Sequence, residues 1–168
     1  MLNLRRKLIP RRDRKATPAT TMKKLMTLMA IVAAGILAFA SMANASAYGK
    51  QKVVYHINYD NPKRQTGALR NIQNHINAVG AENMEIKVVM HGNGVGMLKS
   101  AVGNENLRNQ IIGLKGQNVG FQVCNNTLVG RKIDYENDLY DVWESDIVPS
   151  GVAELAHLQA QGYTYIKP

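Results

Sequence analysis

The 168-residue chain has a single cysteine, Cys124, so there is no partner for a disulfide within the chain and no second thiol for a zinc cluster. The four histidines do not make up for this. His56 lies inside an apolar run, His91 follows one, and His75 and His157 lie on helical segments with no partner at ligand spacing. We therefore expect no metal and no cofactor. The acidic stretch holding Asp134, Glu136, Asp138 and Asp141 lacks the ligand order and the glycine of a calcium loop, and it reads as a solvated loop. Gly92, Gly94 and Gly96 miss the dinucleotide-binding spacing and follow the second strand rather than the first. The chain also has no nucleophile elbow or triad-like grouping, which argues against a serine or threonine hydrolase. No internal repeat is present, and no low-complexity tract occurs beyond the N-terminal segment.

That segment does contain a signal. Met22-Lys-Lys24 precedes an uninterrupted apolar stretch from Leu25 to Ala40 and then the small-residue segment from Ser41 to Ala47, the three parts of a cleavable export signal. Ala43-Asn-Ala45 and Ala45-Ser-Ala47 both satisfy the small-x-small cleavage rule, which places the mature start near Ser46 or Tyr48. Residues 1–21 have no apolar periodicity, and Met22 is the more conventional start. The competing reading is an uncleaved anchor, since Leu25 to Ala43 is just long enough to cross a bilayer with the basic residues held inside. The expected organisation is a leader over residues 1–47 and one domain over residues 48–168, in the periplasm or secreted.

The net charge of +9 belongs to this leader. Nine of the 21 Lys and Arg and one of the 12 acids precede residue 48, leaving 12 basic against 11 acidic residues and a net +1. A nearly neutral domain lacks the basic patch that a phosphate backbone requires, so no nucleic-acid partner is expected. No membrane association is expected once the signal is removed. The domain of about 121 residues is long enough to bury a core without cross-links.

Strand and helix patterns then alternate. The β-branched run Lys52–Asn58 precedes Leu69, Ile72, Ile76 and Val79 at helical spacing, and Met84–Met90 precedes a glycine-rich loop. Leu107, Ile111 and Leu114 mark a helix that Asn104 caps and Gly116 ends, and Asn118–Cys124 forms a third strand. A short strand at Asp146–Val148 leads through Pro149 and Ser150 into a helix with Val152, Leu155, Ala156 and Leu158, and Tyr163–Ile166 is a last strand. This order predicts an α/β fold, a three-layer α/β/α arrangement around a mainly parallel sheet of about five strands.

Such sheets bind ligands at the carboxyl ends of their strands. Three segments fall there: Asn58-Tyr-Asp60, His91 through Gly96, and Cys124-Asn-Asn-Thr127. Within them, Gly92, Asn93 and Gly94 are placed to cradle an anion through backbone N–H groups, with His91 as a possible anion stabiliser. Asn125, Asn126 and Thr127 begin a helix whose free N–H groups would lower the Cys124 pKa. Strand alternation puts Val119, Phe121 and Val123 on one face and Gly120, Gln122 and Cys124 on the less apolar one. This predicts an exposed, readily ionised thiol. The alternative is a cysteine used only as a small packing residue. Trp143 and Tyr140 are placed to cover a pocket or an oligomer contact.

His91-Gly92, the segment Phe121–Leu128 and the C-terminal run Val148–Pro168 resemble the exported branch of the DsrE/DsrF-like family, across essentially the whole mature chain. The resemblance implies a sulfur-relay role in which a strand-end cysteine carries a persulfide, and by motif that role falls on Cys124. It also implies a homo-oligomer, a trimer or hexamer, that exchanges small sulfur species or meets a thiol partner protein. The other function carried forward is a non-catalytic oligomeric module that binds a small ligand and uses its cysteine structurally.

Overall fold

The computed structural model describes residues 47–168. The proposed signal, its first cleavage site and the alternative start at Met22 lie outside the described residues. In chain order the elements are β1 (Gln51–Ile57), α1 (Pro62–Val79), β2 (Met84–Met90), α2 (Gly96–Val102), α3 (Glu105–Lys115), β3 (Val119–Cys124), α4 (Asn125–Arg131), α5 (Tyr135–Asp138), β4 (Ile147–Val148), α6 (Gly151–Ala160) and β5 (Thr164–Ile166). The sheet order is β4-β3-β2-β1-β5 and every pairing is parallel. The expected three-layer α/β/α architecture is present.

Local chemistry sets the helix ends. The Asn61 side chain accepts the Arg64 N–H at 3.0 Å, Pro62 opens the first turn of α1, and Gly80 (φ +91°) ends it in a conformation that favours glycine. In α3 the Asn104 side chain accepts the Leu107 N–H at 3.1 Å, as the sequence predicts. Ser150 caps α6 through its hydroxyl, which accepts the Ala153 N–H at 3.4 Å.

One face of the sheet carries the larger core. Val53, Tyr55 and Ile57 of β1, Ile86, Val88 and Met90 of β2, and Val119, Phe121 and Val123 of β3 pack with Leu69, Ile72 and Ile76 of α1 and Leu107, Ile111 and Leu114 of α3. Each such aliphatic side chain, fully buried, contributes roughly 1.5–3 kcal/mol, which makes this face the main source of stability. The opposite face carries a smaller cluster in which Val54 and Val89 meet Leu155 and Leu158 of α6 and Tyr163. Polar groups occupy the rest of that face. Gln122 donates to Glu154 at 3.0 Å, and Tyr163 hydrogen-bonds to Glu85.

Two expectations are corrected. The stretch after β2 is more than a loop: a 3-10 turn over Gly92–Val95 runs into α2, which buries Met97, Leu98 and Ala101. The acidic stretch also contains a helical turn, α5, whose cap Asp134 accepts the Glu136 N–H at 3.0 Å, and Leu139 beyond it is buried. No helix among the described residues is long and apolar enough to cross a membrane.

Candidate functional site

Parallel pairing at matched register brings the carboxyl ends of β1, β2 and β3 to one edge. Val89 of β2 lies opposite His56 of β1 and Gln122 of β3. Two residues further on, His91 and Cys124 follow on that same face, because successive strand residues alternate sides. On the outer strand Tyr165 pairs with Val54, again on this face. Tyr165, His56, His91 and Cys124 therefore form a diagonal row across four strands.

Cys124 is the backbone N-cap of α4, and Gly151, the first residue of α6, packs over it. A Cβ added at Gly151 would lie 3.0 Å from the His91 Cβ, 3.3 Å from its Cδ2 and 3.2 Å from the Cys124 Cβ, so the starting turn of α6 is wedged between the two side chains. This corrects the expectation of an open thiol, since Cys124 is only 5% exposed. Burial by itself pushes the thiol pKa up. Opposing it are the Gly151 N–H, the Thr127 hydroxyl and the N–H groups of Thr127 and Asn126, all directed at the sulfur, and the balance falls below the ordinary cysteine value. The donors thus more than offset the effect of burial on this thiol.

The glycine segment acts indirectly. The Gly92 N–H donates to the Thr127 Oγ1 at 2.9 Å, leaving the Thr127 hydroxyl to donate to sulfur. The Gly94 N–H is taken by the His91 carbonyl at 3.0 Å, and a Cβ at Gly94 would sit 1.9 Å from the Ile57 carbonyl oxygen. These N–H groups are thus engaged within the protein, and glycine at position 94 serves close backbone approach, so the expected anion cradle gives way to a brace for Thr127. Asn93 faces elsewhere, accepting from Arg131 at 2.6 Å and approaching Asp60 at 3.5 Å. The side chain of Asn125 is exposed, and Asn126 contributes its backbone.

The sequence reading did not include His56 in the site. It is 7% exposed, its Nδ1 lies 2.6 Å from the Tyr165 hydroxyl and its Nε2 lies 2.7 Å from the His91 Nε2, the two imidazoles meeting edge to edge with centroids 4.7 Å apart and planes inclined by 26°. Burial, then the charge of His91 and that of Lys167, lower the His56 pKa to about 4. Burial and Lys167 lower His91 as well. Both rings are neutral at pH 7, and a single proton is shared between the facing Nε2 atoms. The only signal in the sequence was a polar residue between Tyr55 and Ile57 in the apolar part of β1.

No group of three or more His, Cys, Asp or Glu side chains among the described residues is arranged to hold a metal ion. A groove of about 470 Å³ lies elsewhere, lined by Tyr135, Leu139, Val142 and Trp143 but by no residue of the Cys124 cluster. Trp143 is exposed there, and its indole N–H donates to Asp141 at 3.0 Å.

A parallel sheet in a three-layer fold, with a hydrogen-bonded thiol at its carboxyl edge, defines a thiol-bearing α/β protein. Residues 51–168 match the model of the DsrE/DsrF-like family, and the chain belongs to that family, which is associated with sulfur relay. A solved structure of a protein of unknown function from Methanobacterium thermoautotrophicum is 32% identical, with a TM-score of 0.60, and the match covers 71% of this chain and 100% of that one. No curated protein matches the chain.

Proposed function

We propose that this protein accepts sulfane sulfur on Cys124 and passes it to a second thiol. The observation that carries this reading is the set of N–H and O–H donors from Gly151, Thr127 and Asn126 on a sulfur atom that burial alone would keep protonated. In the loading step the Cys124 thiolate attacks the outer sulfur of a donor persulfide R–S–SH. The new S–S bond forms as the old one breaks, giving Cys124–S–SH and R–S⁻ with no external oxidant or reductant. Unloading is the same exchange with an acceptor thiolate. Membership of a family associated with sulfur relay supports this chemistry.

Mass spectrometry of the folded protein after exposure to polysulfide tests it. The expected result is a 32-Da adduct of one sulfur on Cys124, formed faster in folded than in denatured protein; no adduct, or equal labelling of both, would overturn the reading. The 5% exposure of Cys124 favours a second reading, a ligand-binding module whose cysteine only packs. Under that reading Cys124→Ser leaves ligand binding unchanged.

Export to the periplasm or beyond, with cleavage near Ser46 or Tyr48, is part of the proposal, and the tripartite N-terminal pattern supports it. N-terminal sequencing of protein recovered from the native host checks it. Assembly as a homo-oligomer, a trimer or hexamer by family resemblance, is checked by light scattering of the purified domain.

A further inference from the structure

Trp143 is the single tryptophan of the chain, and it is 67% exposed although a large aromatic ring has the most to gain from burial. It is held in place all the same. Its indole N–H donates to Asp141 Oδ1 at 3.0 Å, its backbone N–H donates to Asp146 Oδ2 at 3.1 Å, and the Lys115 ammonium donates to Asp141 Oδ2 at 2.8 Å. The ring thus lines the groove of about 470 Å³ from a fixed position, together with buried Leu139 and with Tyr135 and Val142, which pack against the main core. The charged residues of the lining are Glu136, Asp141 and Glu144, and no lysine, arginine or histidine is among them. Lys115 offsets Asp141, whereas Glu136 and Glu144 are exposed and form no ion pair among the described residues. Both carboxylates act at one point of the lining: burial pushes the Tyr135 phenol up, and the charges of Glu136, Glu144 and Asp134 push it further.

We propose that this groove is a docking surface for a partner protein, which lays an arginine carried on an apolar segment against Trp143 and within reach of Glu136 and Glu144. Charge complementarity sets the sign of the occupant, because the two unpaired carboxylates repel an anion and attract a cation. The exposed indole sets its kind. A guanidinium stacks on an aromatic face while its planar fork donates to a carboxylate, a combination that a compact ammonium matches less well. The apolar lining accounts for a polypeptide over a free cation. Exposed charge pairs contribute little one at a time, so a small ion with most of its surface in water would be weakly held. Residues on either side of the arginine, lying along Leu139, Val142 and Tyr135, add the apolar burial that a lone ion lacks. Tryptophan, tyrosine and arginine are also the side chains that most often carry the energy of a protein interface. The inference goes beyond the sulfur chemistry and does not depend on it, since no residue of the lining belongs to the Cys124 cluster.

Because Trp143 is the single tryptophan, its fluorescence reads the groove alone. The probe is a short peptide blocked at both ends, with one arginine between leucines, titrated into the protein at low salt. A saturable change in Trp143 emission is expected. The same peptide with neutral citrulline in place of arginine should bind at least roughly tenfold more weakly, and so should the arginine peptide to the Glu136→Gln/Glu144→Gln variant. Trp143→Leu, followed by anisotropy of a dye-labelled peptide, should weaken binding by roughly fivefold. Several results would overturn the proposal: no saturable change with the arginine peptide, equal binding of the citrulline peptide, or affinity undiminished in the variants. Blocked arginine alone separates the two sources of the cation. If it binds as tightly as the peptide, the occupant is a small ion and the docking surface is refuted. The comparison of arginine, citrulline and blocked arginine uses wild-type protein throughout, so it decides the matter even if a variant fails to fold.

Discussion

Thr127 contributes two opposite roles with one oxygen. Its Oγ1 accepts the Gly92 N–H at 2.9 Å and its proton points to the Cys124 sulfur, so the hydroxyl couples the glycine turn to the thiol. Thr127→Val keeps the shape and removes both bonds. The midpoint of iodoacetamide labelling against pH should then move upward toward about 8.5, the value of an ordinary cysteine, and stability should fall by roughly 1–3 kcal/mol because the Gly92 N–H loses its acceptor. Thr127→Ser retains the hydroxyl and should restore both readouts, as followed by labelling kinetics and urea denaturation. Gly94 is constrained by backbone alone: a Cβ 1.9 Å from the Ile57 carbonyl oxygen has no flexible neighbour to displace, so Gly94→Ala should cost about 3 kcal/mol or more in a denaturation curve.

At the scale of elements, the start of α6 is the part of the site that closes over the sulfur. Its first residue supplies an N–H to the sulfur and packs between His91 and Cys124 with no room for a methyl group. Gly151→Ala places a carbon within 3.0–3.3 Å of both side chains, so α6 must withdraw by a few tenths of an ångström. The expected result is a raised thiol pKa with a modest stability loss of about 1 kcal/mol, read by the same labelling profile and by thermal melting. The sequence foretold α6, the Asn104 cap of α3, the strand ends and the place of Cys124, because periodicity and capping are local properties. It concealed α2, whose seven residues begin at the third of three spaced glycines and are too few to display a helical period. It concealed α5 because four residues among carboxylates look solvated whether or not they turn. His56 was hidden for a different reason: its partnership with His91 follows from inter-strand register, which no single strand encodes. The covering of Cys124 by Gly151 likewise depends on how a helix 27 residues later is laid over the sheet.

At the scale of the molecule, the two faces of the sheet are unequal. One is closed by the larger hydrophobic cluster, whereas the other combines the small α6 cluster with the histidine row and a set of polar side chains. This asymmetry gives acid sensitivity a definite origin. His56 falls from 6.5 to about 4, chiefly through burial and then through His91 and Lys167, and His91 and His75 shift in the same direction. Between about pH 6.5 and pH 4 the unfolded chain binds a proton that the folded His56 refuses. The contribution is therefore complete above pH 6.5 and is lost as pH falls toward 4, by about 3 kcal/mol for this residue. Urea midpoints should decline over that interval in wild type and decline less steeply in His56→Gln.

The cover that Gly151 places over Cys124 has a consequence for which molecules reach it. With 5% of the residue exposed beside the wedge at Gly151, access to it should depend on the cross-section of the incoming molecule. Slender chains that end in sulfur should therefore react with the folded protein faster than branched or bulky reagents. A maleimide dye should label the folded protein far more slowly than hydropolysulfide does, as mass spectrometry of the two reactions would read.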